Sequence, residues 1–459
     1  SLSFDNDLFM SVLLPPIIFE AALAVSKTEF KRRRTAIMVF SVLGTLVSTF
    51  MTGLMVHYGS MLTPESLPML DSLVFGALIS SIDPVAILSI LTNLGLSQAD
   101  TVFILVLGES LLNDGVAITV FKTLVARFDG RTNDGSTSTS EVFGAAADFV
   151  IAMVGSIAVA LACGCVSWFY FYYLRNTLSP AWEVGSFFIW ALVPFYISES
   201  LQWSGIVSLV GMGFFMDIYI ASPKGKGQTS SPISDSNAEG FYVEMGSTDD
   251  RSVATGINSI APISGTSRLR LSSKAQKHIR FVAHVAAQLA ESAIFAYLGL
   301  FLFSKNYDWD PALISIGIAS CLMSRALMVA LLSQFILLVY RMRGYSTKPQ
   351  ASRIPALSTV SSNVSDNEIC HLSKTAAAIR NPRTQTVLVL AGLRGAVSLA
   401  LVENVPLYNA LTEEGCQYKP LMKGMTSAAI IFTTFIIGGA SYFLLPVLGF
   451  AAELKDDVD

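Results

Sequence analysis

The sequence predicts an all-α polytopic membrane protein with inverted repeats and two interrupted, crossing helices. Three observations predict it. Of 459 residues 52% are hydrophobic and only 14% charged, with a mean hydropathy of +0.57, which is too apolar for an average soluble chain. Apolar runs long enough to cross a bilayer recur along the whole length, since a hydrocarbon core ~30 Å thick needs ~20 residues of helix. Two of those runs are broken near their middles by proline or glycine beside a charged residue, one in the early part of the chain and one in the late part.

Taken in order, eleven apolar segments can be drawn: 8–26, 36–57, 70–94, 100–127, 143–174, 182–200, 204–221, 279–304, 311–340, 384–403 and 421–450. The stretch Glu199-Ser200-Leu201-Gln202-Trp203-Ser204-Gly205 is the expected turn between the sixth and seventh. The domain reading follows: 1–221 is the first part of a membrane domain, 279–341 and 384–450 complete it, and 451–459 begins a cytosolic tail. The polar stretches 222–278 and 342–383 are rich in Ser, Thr, Gly and Pro without apolar periodicity, and read as disordered cytosolic loops.

Orientation follows from Lys and Arg. Numbering the connections alternately, 22 of the 30 basic residues fall on one side, beginning with Lys27, Lys31, Arg32, Arg33 and Arg34, and 5 on the other. The basic side, with the C-terminus, is expected in the cytosol. The remaining three, Lys122, Arg325 and Arg394, lie within apolar segments. The net charge of −4 suggests no nucleic-acid partner. Cys163, Cys165, Cys321, Cys370 and Cys416 are scattered, forming neither a CxxC pair nor a disulfide framework. No signal peptide is indicated at the first residues.

The chemistry concentrates in Gly108-Glu109-Ser110-Leu111-Leu112-Asn113-Asp114, at the middle of segment 100–127. A charge there costs at least ~2.5–3.5 kcal/mol. Glu109 and Asn113 are four apart, as are Ser110 and Asp114, so the four share roughly one face. Lipid cannot satisfy such a face, which must point into protein or a wet cavity. A contact that merely glues two helices is the bland alternative; an ion site is the reading adopted, because intramembrane carboxylates default to function.

The first interruption is Ser80-Ser81-Ile82-Asp83-Pro84. Pro84 removes a backbone donor and pushes Asp83 toward extended geometry. The carbonyls of residues 79–82 and the Asp83 carboxylate are then free to coordinate a cation. The second is Ala391-Gly392-Leu393-Arg394-Gly395-Ala396, where Gly392 and Gly395 flank Arg394. Paired breaks of this kind point to an inverted-repeat secondary transporter with its site between them. Arg394 is expected to face helix C-terminal dipole ends or, as the alternative, to snorkel to the cytosol. Arg325, which stays protonated, demands a carboxylate at its depth, with Glu109 as nominee. Glu291 is the other buried acid and a partner for Arg394. Lys122 and Glu199 lie near segment ends, where solvation is the ordinary outcome.

These residues resemble the eukaryotic sodium/proton exchangers of the monovalent cation/proton antiporter superfamily. The matching runs are Leu14-Pro15-Pro16-Ile17-Ile18-Phe19-Glu20, residues 75–86 around Asp83-Pro84, residues 108–114, Ser204-Gly205-Ile206-Val207-Ser208-Leu209, residues 291–300 from Glu291, and Gly392-Leu393-Arg394-Gly395-Ala396. The likeness covers nearly every membrane segment in the same order and leaves the long polar loops unmatched. It implies the antiporter fold of thirteen helices containing a six-helix inverted repeat, with the first two helices missing here, and assembly as a homodimer. Carried over by position, Asp114 is the carboxylate that binds the proton or the metal cation (Na⁺ or K⁺), and Asn113 is its partner. Asp83 and its broken helix assist, Ser110 lines the site, and Glu109 pairs with Arg325. One departure is Ile82, which stands where related antiporters often carry Thr, so a hydroxyl ligand is lost.

The function expected is therefore secondary active exchange of Na⁺ (or K⁺) for H⁺ by alternating access, regulating pH and cation content. One carboxylate taking either ion in turn, next to a neutral Asn113, predicts electroneutral 1:1 exchange. No enzyme activity and no cofactor are expected. The partners are monovalent cations, protons and the lipid bilayer, in the plasma membrane or an endosomal, Golgi or vacuolar membrane. Two other classes are weighed. A gated monovalent cation channel would pass ions downhill without proton counter-movement, and the paired breaks argue against it. An intramembrane aspartyl protease using Asp83 and Asp114 needs two acids sharing a proton, which the Asn113, Glu109 and Arg325 set fits poorly.

Overall fold

A computed structural model describes residues 9–97, 99–127, 139–174, 179–221, 271, 273–301, 307–342, 374–406 and 416–450. The architecture is helical throughout these residues: α1 (Phe9–Ala24), α2 (Lys27–Ser60), α3 (Met69–Ser80), α4 (Val85–Asn93), α5 (Thr101–Val125), α6 (Thr139–Leu174), α7 (Pro180–Ser200), α8 (Gly205–Ala221), α9 (Ser273–Phe301), α10 (Pro311–Met342), α11 (Pro382–Leu390), α12 (Ala396–Glu403) and α13 (Lys419–Leu448). Among the described residues, eight helices are long and apolar enough to cross a membrane, counting Met69–Asn93 as one; α1 and α8 are shorter apolar helices.

Several boundaries differ from the sequence expectation. The basic stretch from Lys27 to Arg34 is not a connection but the first turns of α2. Charge pairing makes this possible: Glu29 bonds both Arg32 and Arg33 one turn on, and Lys27 donates to the Ala22 and Leu23 carbonyls at 2.8 and 2.9 Å, satisfying the end of α1. The last residues of the predicted loop 222–278 form the start of α9, and residues 374–380 of the predicted loop 342–383 are helical. Both have an apolar face: Ala275, Ile279 and Ala283 are buried, as are Ala376 and Ile379. Apart from Leu271, Met342 and residues 381–383, the rest of those two loops, and the tail 451–459, lie outside the described residues.

The helices pack as two bundles. One contains α2–α5 and α10–α13, so each half of the chain donates a straight helix, a broken helix and a further straight helix: the inverted repeat. The other holds α1 and α6–α9. The tightest packing is α2 on α3, where Gly76 lets the backbones meet; any side chain there would run into the Thr49 carbonyl. The helix α5 is the seam, packing on α3 within its own bundle and on α6 and α8 of the other.

Candidate functional site

The site forms where the two interruptions cross. After α3 stops at Ser80 the chain turns extended at Ser81 (φ −61°, ψ 136°) and restarts only after Pro84. The break between α11 and α12 lies against it, and the Asp83 amide donates to the Leu393 carbonyl at 2.9 Å. The contact is tight: a Cβ on Gly395 would sit 2.5 Å from the Asp83 side chain. A bond between two unwound stretches satisfies backbone groups that a membrane interior leaves no water to satisfy.

The loose ends of α3 are taken up by side chains. Ser80 O accepts from Asn113 Nδ2 at 3.0 Å, Ile82 O from Ser110 Oγ at 3.0 Å, and Ser81 O from Arg394 Nη1 at 3.2 Å. The expectation that the carbonyls of residues 79–82 are free is corrected for three of them: those of residues 80, 81 and 82 each accept one hydrogen bond, which leaves each a second lone pair. Asp83 Oδ1 accepts from the Val85 amide at 3.1 Å, at the first residue of α4, where a carboxylate complements the helix dipole.

Asp114 stands beside this crossing, with Ser81 Oγ donating to its Oδ1 at 2.6 Å. Its neighbour Asn113 is 1% exposed and bonded on both ends, to Ser80 O and from Thr45 Oγ1. Thr45 comes from α2, one of a run of buried hydroxyls with Ser41, Ser48, Thr49 and Thr52. That polar stripe at helical spacing in an apolar segment was the signal that would have found Thr45.

One helical turn before Asn113, Glu109 forms a two-pronged pair with Arg325, each side chain 3% exposed. Arg325 also donates twice to Leu388 O, from Nε at 3.1 Å and Nη2 at 2.6 Å, near the C-terminal end of α11, where the dipole favours a cation. Gly392 lies against the Arg325 stem, 2.8 Å from Cγ to a notional Cβ. Arg394 is 1% exposed and does not snorkel. Nor does it pair with Glu291: Nε donates to Cys321 Sγ at 3.0 Å and Nη1 to Ser81 O, because the crossing aims the guanidinium at the end of α3. Lys122 and Glu199 are joined at 2.6 Å and about one-third exposed.

A cavity of about 370 Å³ leads to Asp114. Its walls come from α1, the α3–α4 break, α5, α9 and α12, so it runs between the two bundles. Asp83, Ser110, Asp114, Glu291 and Gly395 all line it. Toward the rim, His284 Nδ1 of α9 lies 3.4 Å from Glu20 Oε1 of α1. Glu20 was visible in the Leu14–Glu20 run, but nothing in the sequence placed it opposite residue 284. Among the described residues no cluster of three or more His, Cys, Asp or Glu is placed to hold a metal ion.

Two crossing half-helices, a buried ion pair and a carboxylate lining an inter-bundle cavity define a polytopic helical membrane protein built around crossed, interrupted helices. A model of the family described as "Sodium/hydrogen exchanger, transmembrane" matches residues 2–239. The chain belongs to that sodium/hydrogen exchanger family. It is 26% identical over 448 residues to sodium/hydrogen exchanger 8 of Homo sapiens, covering 97% of this chain and 61% of that protein. It is also 26% identical over 453 residues to the endosomal/prevacuolar sodium/hydrogen exchanger of Saccharomyces cerevisiae, covering 98% and 58%. The chain thus spans about three-fifths of the length of these relatives. In fold it is similar to the sodium proton antiporter MjNhaP1 from Methanocaldococcus jannaschii, with a TM-score of 0.57 at 16% identity, over 98% of this chain and 88% of that one.

Proposed function

We propose that this chain exchanges Na⁺ (or K⁺) for H⁺ across its membrane by alternating access, and so sets pH and cation content on the two sides. The observation that carries the reading is the Asp114 carboxyl: it lines the cavity between two bundles, with one hydroxyl partner from the α3–α4 break. One carboxylate cannot hold a proton and a metal cation together, so occupancy by one ion requires release of the other. That competition couples the two fluxes.

The surrounding groups support a 1:1 stoichiometry. Asn113 is neutral, the Glu109 charge is matched by Arg325, and Asp83 is tied to the start of α4. Asp114 is then the exchangeable charge, with Asn113 fixing its helix against Ser80 and Ser110 lining its approach. Relatives that are sodium/hydrogen exchangers, one of them endosomal or prevacuolar, support the cation and favour an internal membrane over the cell surface. We further propose a homodimer, by likeness to the family, and a cytosolic C-terminus with the cavity facing the cytosol, since Lys27 and its basic neighbours lie at the end of α1 toward which the cavity opens.

The experiment is reconstitution into liposomes carrying an acid interior and a pH-sensitive dye. Adding Na⁺ or K⁺ outside is expected to restore fluorescence, at a rate independent of a clamped membrane potential, while choline does nothing. Downhill cation flux without proton movement would instead identify a channel, and no response to any alkali cation would overturn the reading.

A further inference from the structure

We propose that the Lys122–Glu199 ion pair is the latch that closes the far side of the exchange site, and that it sets how often the protein opens there. The inference rests on the transport reading above and adds a residue pair outside the cation site.

The position of the pair follows from internal markers. Arg33 Nε donates to Thr101 Oγ1 at 3.2 Å, which puts the start of α5 at the Lys27 end of the molecule. Lys27 pairs with Asp217 at 2.9 Å, which puts the end of α8 there too. The end of α5, the end of α7 and the start of α8 therefore lie at the opposite end. The cavity reaches Asp114 from the Lys27 end, past Ala24 and Glu20. Beyond Asp114 the helix is sealed: Val116, Ala117, Ile118 and Phe121 are all 2% exposed or less. Lys122 follows immediately, two turns and about 12 Å of helix rise past Asp114.

At that point two bundles are tied. Lys122 belongs to the bundle that carries the site, and Glu199 to the other. The carboxylate has two jobs. Oε2 binds Lys122 Nζ at 2.6 Å, and Oε1 accepts from the Gly205 amide at 3.1 Å, anchoring it to the first residue of α8. The hairpin that presents it is itself constrained, with Gln202 at φ 60°. Below the pair, α5 and α8 touch closely, since a Cβ on Gly115 would lie 2.8 Å from Val207 Cγ2. Arg127 and Asp148 make a second, more exposed tie between α5 and α6 at 2.7 Å.

Opening a water route to Asp114 from this end requires α5 to part from α7 and α8, and the pair must then separate. Its side chains are 30% and 34% exposed, so water replaces each partner as it leaves and the pair is weak enough to break in every cycle. A buried pair here would hold the gate shut.

The test is exchange in vesicles with the cation added to one face at a time. Lys122→Met and Glu199→Gln remove the tie while leaving Asp114 untouched, and Gln keeps an acceptor for Gly205. Loosening the far gate raises the population open to that side, and apparent affinity scales with that population. KM at the far face is expected to fall about two- to fivefold, with no fall at the cavity face. Lys122→Arg keeps the charge and is expected to keep wild-type values. A far-face KM unchanged in the single variants, a parallel fall at both faces, or a Lys122→Arg variant that falls as far as Lys122→Met would overturn the latch. A wild-type chain that exchanges nothing removes the transport reading and the latch with it; a working wild type with unresponsive variants removes the latch alone.

Discussion

Asp114 and Glu109 are carboxylates five residues apart on one helix, and their surroundings are opposite. Glu109 is locked by both arms of Arg325 at 3% exposure, whereas Asp114 keeps one hydroxyl partner and a cavity in front of it. Asp114→Asn preserves the acceptor for Ser81, so the fold is expected to survive while cation-dependent proton flux disappears; exchange persisting in purified, correctly assembled protein would refute the assignment. Glu109→Gln has the reverse profile. It leaves the Arg325 charge buried without its counter-charge, a loss of about 3–5 kcal/mol, and a clear drop in melting temperature is expected before any question of transport arises. An unchanged melting temperature would mean that the pair carries no structural weight.

At the scale of elements, the broken helices are held by each other rather than by propensity. Pro84 and the glycines explain why each helix stops, but the Asp83–Leu393 backbone bond and the Arg394–Ser81 contact explain why the two unwound stretches stay put. Gly395 is the test point, because a methyl group there would press on the Asp83 side chain at 2.5 Å. Gly395→Ala is expected to keep the helical content by circular dichroism yet reduce exchange by about tenfold, since the ~1–3 kcal/mol typical of overpacking brackets the ~1.4 kcal/mol that a tenfold change represents. Wild-type exchange in this variant would show that the crossing has slack.

For the whole molecule, the proposed exchange makes one carboxylate between two bundles the coupling device. Protons and alkali cations compete for Asp114 under the proposed mechanism. Lowering pH at the cavity face therefore raises the apparent KM for the cation there while the maximal rate at saturating cation holds, because excess cation displaces the proton. A KM insensitive to pH would mean that proton and cation use separate sites. The Lys122–Glu199 tie belongs to this scale as well, since it matters only if the bundles move against each other.

The sequence alone was enough to read an all-α membrane protein of the exchanger family, two interruptions, and a set of polar residues on one face of α5. Those features are local: helix length, proline and glycine chemistry, and charge at membrane depth are written in contiguous residues. It also proposed Arg325 as the partner of Glu109, because a permanent buried cation narrows the choice of counter-charge. Residues that depend on packing between distant helices were not legible. Thr45 beneath Asn113, Cys321 and Ser81 around Arg394, Glu20 facing His284 and Lys122 meeting Glu199 all join segments with no fixed spacing along the chain. Hydropathy records that a side chain is buried but not against which helix, and only the tertiary structure, by crossing the two breaks and setting one bundle against the other, decided which polar groups meet.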